Sequence, residues 1–224
     1  MLDRNQSVAS VVLDHSECAE VFLRHSIDFC CHGELSIELA AQRRALDPDV
    51  LLDQLARVIA QRNAQRRPDP RELSTSRLIA HIVSVHHAYL RTALPFVKPL
   101  AAKVGRVHGQ HNPNLRVLDA AVTELSETLL AHLDEEEREL FPLLIAGETN
   151  RTELAKRLDD MAGEHRLVGE LLGQVRAASD DFSVPDWACN SYRTLFSELR
   201  QLESDVSVHV HLENHVLKPR FAQS

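Results

Sequence analysis

The sequence is poor in the residues that build β-sheet proteins. Aromatic residues make up 4% of its 224 residues, and it holds only 7 glycines and 9 prolines. A β-sandwich or barrel needs more turn residues than this, so helices are favoured over sheets. No run of about 18 apolar residues exists, so no transmembrane helix is predicted. Residues 1–10 also lack the hydrophobic core of a signal peptide, and we therefore expect a cytoplasmic protein.

Basic charge and cysteine are scarce as well. The chain has 25 Lys and Arg against 33 Asp and Glu, and its formal net charge of −8 argues against a nucleic-acid partner. In a chain of this length its four cysteines do not resemble a disulfide framework. They are Cys18, Cys30, Cys31 and Cys189. Histidine, in contrast, is abundant: 13 are present, and most lie inside helical patterns.

The first quarter of the chain predicts a small helical unit followed by a linker. Its helices are predicted over 17–27, over 35–46 and from Pro48 onward, where Asp47 can act as the cap. Residues 64–73 (AQRRPDPREL) form a polar linker with two prolines. We therefore predict two domains: a small helical domain with a Cys-Cys pair over 1–65, and a larger helical domain over 74–224.

Four long stretches follow, each with apolar side chains at helical spacing. We expect the first helix to begin near Ser74 and to be kinked or ended by Pro95 and Pro99. The fourth is expected over about 186–218. Four helices of roughly 25 to 30 residues joined by short loops predict an antiparallel up-down four-helix bundle. The predicted fold class is thus all-α, with the bundle joined to the small N-terminal helical domain.

Each of the four apolar stripes carries a histidine near its middle. These are His87, His132, His165 and His209, and Glu136 and Glu213 follow two of them at a spacing of four residues. Side chains four residues apart lie on the same face of a helix. Eighteen glutamates would place about one such pair after 13 histidines by chance, and two are present, so the spacing alone is weak evidence. A single histidine on a buried face is usually a satisfied core residue. The stronger evidence for a site is therefore that all four helices place a histidine there.

Burying imidazoles and carboxylates between apolar helix faces costs free energy unless a partner binds them, and a metal ion is the simplest partner. Four histidines and two glutamates suit two metal ions with shared carboxylate bridges. Nitrogen and oxygen ligands without thiolate favour iron, with manganese or zinc possible. An oxide or hydroxide bridge would complete the shells of a non-haem di-iron pair.

Several other groups have two interpretations. Glu164, next to His165, is either a proton carrier that reaches the site from outside or a surface charge. The run 134–139 (DEEERE) is predicted to be a solvated face, with only Glu136 on the stripe. Four other histidines are expected to be either partly exposed or hydrogen-bonded to the metal ligands without binding metal themselves. They are His81, His86, His211 and His215. The pair Cys30-Cys31 is either one buried cysteine with an incidental neighbour or a redox or metal-handling thiol pair.

Taken together, these stretches resemble a known family. The segments DFCCHGELSIELAA, HLDEEERELFP, GEHRLVGELL and HVHLENHVLKPR, with His87, resemble the iron-sulfur cluster repair di-iron proteins, in which a Cys-Cys domain precedes a hemerythrin-like domain. The resemblance covers essentially the whole chain. It implies six iron ligands, His87, His132, Glu136, His165, His209 and Glu213, with Cys30 and Cys31 as the N-terminal thiols. Two positions depart from the family pattern: His32 replaces a glycine, and Lys218 replaces a phenylalanine.

The resemblance implies a role in nitrosative and oxidative stress. The first hypothesis is a di-iron protein that binds nitric oxide, with possible reductase activity, and repairs damaged iron-sulfur centres. Expected partners are nitric oxide or dioxygen and iron-sulfur proteins, and a homodimer is possible. A hemerythrin-like sensor or buffer of oxygen or nitric oxide without turnover is the second hypothesis. A metal-free helical interaction module is the third.

Overall fold

The structure, a computed structural model, describes residues 2–61, 69–147 and 151–221. Within these ranges the protein is helical without a strand, and one isolated antiparallel bridge joins Ser7 and Ser36. The predicted all-α class is confirmed. In the described ranges, no helix combines the length and apolar character needed to cross a membrane. The predicted linker at 64–73 lies partly outside the described residues.

The chain forms two compact units. The first comprises Met1–Leu78 together with Ser207–Ser224, and the second comprises Ile79–Val206. The helix Asn190–Leu212 carries residues of both units, because the division falls between Val206 and Ser207.

Among residues 2–61 of the first unit, the structure shows four α-helices: α1 (Val8–Asp14), α2 (Ala19–Arg24), α3 (Ile37–Arg43) and α4 (Pro48–Gln61). Ser7 and Ser36 cap α1 and α3 through their side chains. Asp47 and Pro48 begin α4 as predicted. Helix α1 was not predicted, and α2 and α3 are shorter than expected. Their buried side chains, among them Phe22, Phe29, Ile37, Leu51 and Leu55, form one hydrophobic core.

The four predicted long helices are present. Three of them consist of consecutive segments. Helix α5 comprises Thr75–His81, Ile82–His87 and Ala88–His108, and helix α6 comprises Asn114–Glu135, Glu136–Leu140 and Phe141–Ala146. Helix α7 spans Arg151–Ala178, and helix α8 comprises Asn190–Leu212 and Glu213–Leu217. In the second unit α5 packs against α6, and α6 against α7. Arg176 on α7 donates to Glu203 on α8, its Nε lying 2.8 Å from Oε1. Neighbouring helices along the chain thus pack side by side, as an up-down bundle requires.

Helix α5 continues through both of its prolines instead of ending at them. Pro95 and Pro99 lie one turn apart and are exposed, so the carbonyl groups that lose their N–H partners can be hydrated. Leu94 and Val97, on the opposite side, stay buried and hold the helix to the bundle. The alternative that these prolines end the helix is therefore wrong.

Three of the long helices contain a π-helical segment, in which each N–H bonds the carbonyl five residues back. The segments are Ile82–His87, Glu136–Leu140 and Glu213–Leu217. Each includes one predicted metal ligand at its first or last residue. Such segments are rare and occur often at functional sites, because they rotate the side chains of the next turn.

Candidate metal centre

The six predicted ligands are all buried, with exposed fractions between 0% and 3%. They come from all four long helices: His87 from α5, His132 and Glu136 from α6, His165 from α7, and His209 and Glu213 from α8. Their burial follows from the apolar stripes that predicted them. Leu129 and Leu140 on α6, and Leu202 and Val206 on α8, are buried at the neighbouring positions of those stripes.

Within the second unit, Glu136 lies between two imidazoles. Its Oε2 is 3.4 Å from His87 Nε2, and its Oε1 is 3.4 Å from His132 Nε2. The Nε2 atom of His165 lies 3.2 Å from the same nitrogen of His132. Three Nε2 atoms and both oxygens of one carboxylate therefore converge on one place.

Helix α8 contributes the remaining pair. The Nε2 atom of His209 lies 3.0 Å from Glu213 Oε1, one helical turn further on. The pair is thus arranged as the i, i+4 spacing predicts.

The ligand atoms form two groups of four, and within each group all lie within 4.8 Å of one another. One group is His87, Glu136, His209 and Glu213; the other is His132, Glu136, His165 and Glu213. Both carboxylates belong to both groups, whereas each imidazole belongs to one. This is the pattern of two ions that share carboxylate bridges.

The chemistry of the donor set fits a pair of first-row metal ions. Four imidazole nitrogens and two carboxylates, without a thiolate, suit iron. Two carboxylates in a site closed to water are costly, and cations between them offset that cost. The residues present therefore fit a di-iron centre.

Two further carboxylates hold the imidazoles from behind. The Nδ1 atom of His87 donates to Glu137 Oε1 at 2.9 Å, and that of His132 donates to Glu164 Oε2 at 2.6 Å. Arg91 also donates to Glu137, at 3.1 Å. Since a carboxylate only accepts, each ring carries its proton on Nδ1 and turns the lone pair of Nε2 toward the cluster.

The pKa values of these two carboxyl groups agree with that arrangement. Burial by itself would raise the pKa of Glu137, but hydrogen bonds from His87 and Arg91 hold it below the usual value. The hydrogen bond from His132 lowers the pKa of Glu164 against a smaller effect of burial. Both groups are therefore ionised at neutral pH and act as acceptors.

Two of these contacts were not predicted from the sequence. Glu137 lies in the run that was predicted to be a solvated face, yet it bonds His87. His86 is buried and lies 3.1 Å from Asp205 Oδ2. Glu164 belongs to neither ligand group. It contacts His132 while 39% of its side chain stays exposed, so it reaches from the site to the surface. Its neighbour His165 was the signal that singled it out.

The Cys30-Cys31 pair lies in the first unit, in the turn between α2 and α3. Its sulfur atoms are 3.8 Å apart and form no disulfide. Both backbone N–H groups donate to Asp28 Oδ1. Contact with Cys31, burial and the charge of Asp28 raise the pKa of the Cys30 thiol well above its usual value. The pair forms a third group of possible metal ligands together with Asp28.

We predict that Glu137→Gln and Glu164→Gln each weaken metal binding by about tenfold, because an amide no longer fixes the proton on Nδ1 of its histidine. Competition for bound iron with a chelator measures the effect. Glu139→Gln is the matched control, because Glu139 is exposed and pairs with Arg157 instead. Iron retention in both variants equal to that of the control would show that these carboxylates do not orient the ligands.

Comparison with known proteins identifies the two parts of the chain. Residues 78–221 match the Hemerythrin HHE cation binding domain, and residues 4–59 match a Domain of Unknown function (DUF542). The chain is 32% identical to the Iron-sulfur cluster repair protein YtfE of Yersinia pseudotuberculosis over 217 residues, which cover 97% of this chain and 96% of that protein. It is 31% identical to the Iron-sulfur cluster repair protein ScdA of Staphylococcus epidermidis over 220 residues, or 97% and 98% of the two chains. With a hemerythrin domain and a donor set that fits, the cofactor is a pair of non-haem iron ions.

Proposed function

The chain belongs to the family of hemerythrin-like iron-sulfur cluster repair proteins, and from that premise we propose that it binds nitric oxide at its di-iron centre and helps repair damaged iron-sulfur centres. Two relatives that match nearly the whole chain carry the repair function in their names. We place this activity in the cytoplasm, under nitrosative and oxidative stress. The partners are small gas molecules and damaged iron-sulfur proteins.

The observation that carries the proposal is the pair of four-ligand groups that share Glu136 and Glu213. We assign the six residues as iron ligands: His87, His132, Glu136, His165, His209 and Glu213. Each ion would then be held by two imidazoles and two carboxylate oxygens. When bound, the iron pair supplies open coordination positions for a small ligand and the electrons for its reduction.

The protein supplies orientation, exclusion of water and a route for protons. Phe141 stacks on the His87 ring at a centroid distance of 5.7 Å and, with the aliphatic stripes, keeps the centre dry. Glu137 and Glu164 hold the protons of His87 and His132 on Nδ1. Because Glu164 is half-exposed, we propose that it exchanges protons between solvent and the His132 side of the centre.

The domain division and the thiols belong to the same proposal. We propose that 1–65 is the Cys-Cys domain and 74–224 the hemerythrin-like domain. The matched segments, 4–59 and 78–221, support this division. Cys30 and Cys31 are proposed as the functional thiols of the first domain, and their half-buried position gives them access to solvent.

The test is anaerobic addition of nitric oxide to the reduced, iron-loaded protein, followed by measurement of nitrous oxide. Coupling two molecules of nitric oxide takes two electrons and two protons, so a single turnover yields at most one nitrous oxide for each pair of ferrous ions. We expect nitrous oxide, together with reactivation of a damaged iron-sulfur enzyme by the protein. Iron-free protein is the control.

The outcomes separate the alternatives. Uptake of nitric oxide without nitrous oxide, and without reactivation of the damaged enzyme, would indicate a buffer or sensor and contradict the repair proposal. Reactivation that iron-free protein gives equally well would show that the di-iron centre is not involved.

A further inference from the structure

A second group of metal-binding side chains lies in the first unit, in the turn 28–33 between α2 and α3. One carboxylate oxygen of Asp28 and the Sγ atoms of Cys30 and Cys31 all lie within 4.8 Å of one another. This group shares no residue with the six proposed iron ligands. It also differs from them in chemistry, because it offers two sulfur atoms and one oxygen.

The distances within this group are close to those around a tetrahedral metal ion. Two thiolates at about 2.3 Å from such an ion are about 3.8 Å apart, and the sulfur atoms of Cys30 and Cys31 are 3.8 Å apart. A carboxylate oxygen at about 2.1 Å would lie about 3.6 Å from either sulfur. Asp28 Oδ1 lies 3.2 Å from the Cys30 sulfur, so a shift of a few tenths of an ångström gives the ligated geometry.

The backbone around the group is fixed from both sides. Asp28 Oδ1 accepts the N–H of Cys30 at 2.9 Å and that of Cys31 at 2.8 Å. The carbonyl of Cys30 accepts hydrogen bonds from Asn214 and His215, near the end of α8 in the same unit. The backbone that carries the two sulfur atoms is therefore held in place before any ion arrives.

Gly33 fixes the exit of the turn. A Cβ atom there would lie 2.4 Å from the carbonyl oxygen of Phe29 and 2.8 Å from Nε2 of His215. No larger residue fits without moving this backbone.

His32 braces the carboxylate. Its Nδ1 lies 2.8 Å from Asp28 Oδ2, the oxygen that does not face the sulfur atoms. Hydrogen bonds of this kind hold the ligating carboxylates of metal sites in place. Burial by itself would raise the pKa of Asp28. Hydrogen bonds from Cys31, His32 and Cys30 outweigh burial and lower that pKa, so the carboxylate is ionised at neutral pH.

The group is also open to entry from solvent. Asp28 and His32 line a cleft of about 400 Å³ together with Arg43, Arg44 and three apolar residues. The two thiols are only partly buried. The cleft reaches Asp28 but neither thiol, so access to the sulfur atoms is through their own exposed part.

We propose that Asp28, Cys30 and Cys31 bind one divalent first-row ion, Zn²⁺ or Fe²⁺, in a mononuclear site separate from the iron pair. Two thiolates and a carboxylate suit these ions. Three protein ligands leave the fourth tetrahedral position to solvent or an incoming ligand, so the ion is held exchangeably. Binding releases the thiol protons, including the one that Cys30 donates to Asp28.

The test is a titration of the iron-loaded protein with Co²⁺ under anaerobic conditions. We expect one Co²⁺ per chain with the charge-transfer absorption of cobalt–thiolate bonds and with no loss of iron. Cys30→Ser and Cys31→Ser each abolish that absorption. Cys189→Ser is the matched control, because Cys189 is an exposed free thiol outside the turn, and it leaves the absorption unchanged.

Two further variants test the supporting groups. Asp28→Asn keeps an oxygen for the N–H groups of the turn but removes the charge, so Co²⁺ affinity falls at least tenfold while the fold is kept. His32→Gly weakens it by about tenfold through loss of the brace. Unchanged affinity in Asp28→Asn would remove Asp28 from the site.

A second readout does not depend on cobalt. Zn²⁺ is expected to protect Cys30 and Cys31, but not Cys189, from alkylation of the folded protein. Absence of thiolate absorption, absorption that survives Cys31→Ser, or equal alkylation with and without Zn²⁺ would each overturn the proposal. Iron content and circular dichroism of every variant exclude unfolding as the cause.

Discussion

Glu136→Leu and Glu213→Leu are each expected to leave the purified protein with fewer than one iron per chain instead of two. Each carboxylate belongs to both ligand groups, so its removal takes one ligand from each ion at once. Leucine at these positions continues the apolar stripes of α6 and α8, so the helices still form. Iron per chain, determined after purification, measures the result.

Glu135→Leu is the matched control. Glu135 is exposed, adjoins Glu136 on α6, and its replacement makes the same change in net charge. We expect two irons in this variant. Two irons in both Glu136→Leu and Glu213→Leu would instead show that the ligand assignment is wrong.

The sequence was sufficient to predict the bundle because the apolar periodicity of a long helix determines which face is buried. His87 and His209 were chosen over His86 and His211 in this way, and both chosen rings point their Nε2 atoms at a glutamate. The stripe does not predict that the rejected histidines are exposed. His86 and His211 are buried too. His86, about 100° from His87, lies 3.1 Å from Asp205 on α8. His211 is buried for another reason, since its ring packs against Phe29 of the first unit.

The π-helical segments could not be predicted from the sequence. Apolar residues spaced three and four positions apart lie on one face only if the helix keeps 3.6 residues per turn throughout. A π-helical turn contains an additional residue and therefore rotates the residues after it around the helix axis. Glu136 and Glu213 stand at the first residue of such a segment, and His87 at the last. The sequence thus indicates which residues face inward, while the backbone adjustment that aims them depends on packing between helices.

The carboxylates behind the histidines were missed for a related reason. Glu137 bonds a histidine of another helix, and Glu164 bonds His132 on α6 from its place on α7. Such contacts depend on how two helices are rotated against each other, which the pattern of either helix alone does not specify. A run of acidic residues beside a predicted ligand is nevertheless a usable signal, since histidine ligands usually donate to a carboxylate.

Removal of both iron ions is expected to lower the melting temperature by about 11 to 22 °C. Each ion at about 100 times its dissociation constant stabilises the folded state by about 2.7 kcal/mol, so the pair contributes about 5.4 kcal/mol, and in a chain of this size each kcal/mol shifts the melting temperature by about 2 to 4 °C. Thermal unfolding of the iron-loaded and chelator-treated protein measures the difference. A shift of less than about 1 °C would contradict a role of iron in holding the bundle.

The same measurement on Glu136→Leu should reverse the order of stability. With iron present, the unmodified protein melts at the higher temperature, because only it holds both ions. Without iron, the variant is expected to be at least as stable, since leucine replaces a carboxylate that is 2% exposed and packs among apolar neighbours. The ligands of the centre therefore destabilise the iron-free bundle, and the metal offsets that cost. An iron-free variant that melts below the iron-free unmodified protein would show that Glu136 stabilises the fold by itself.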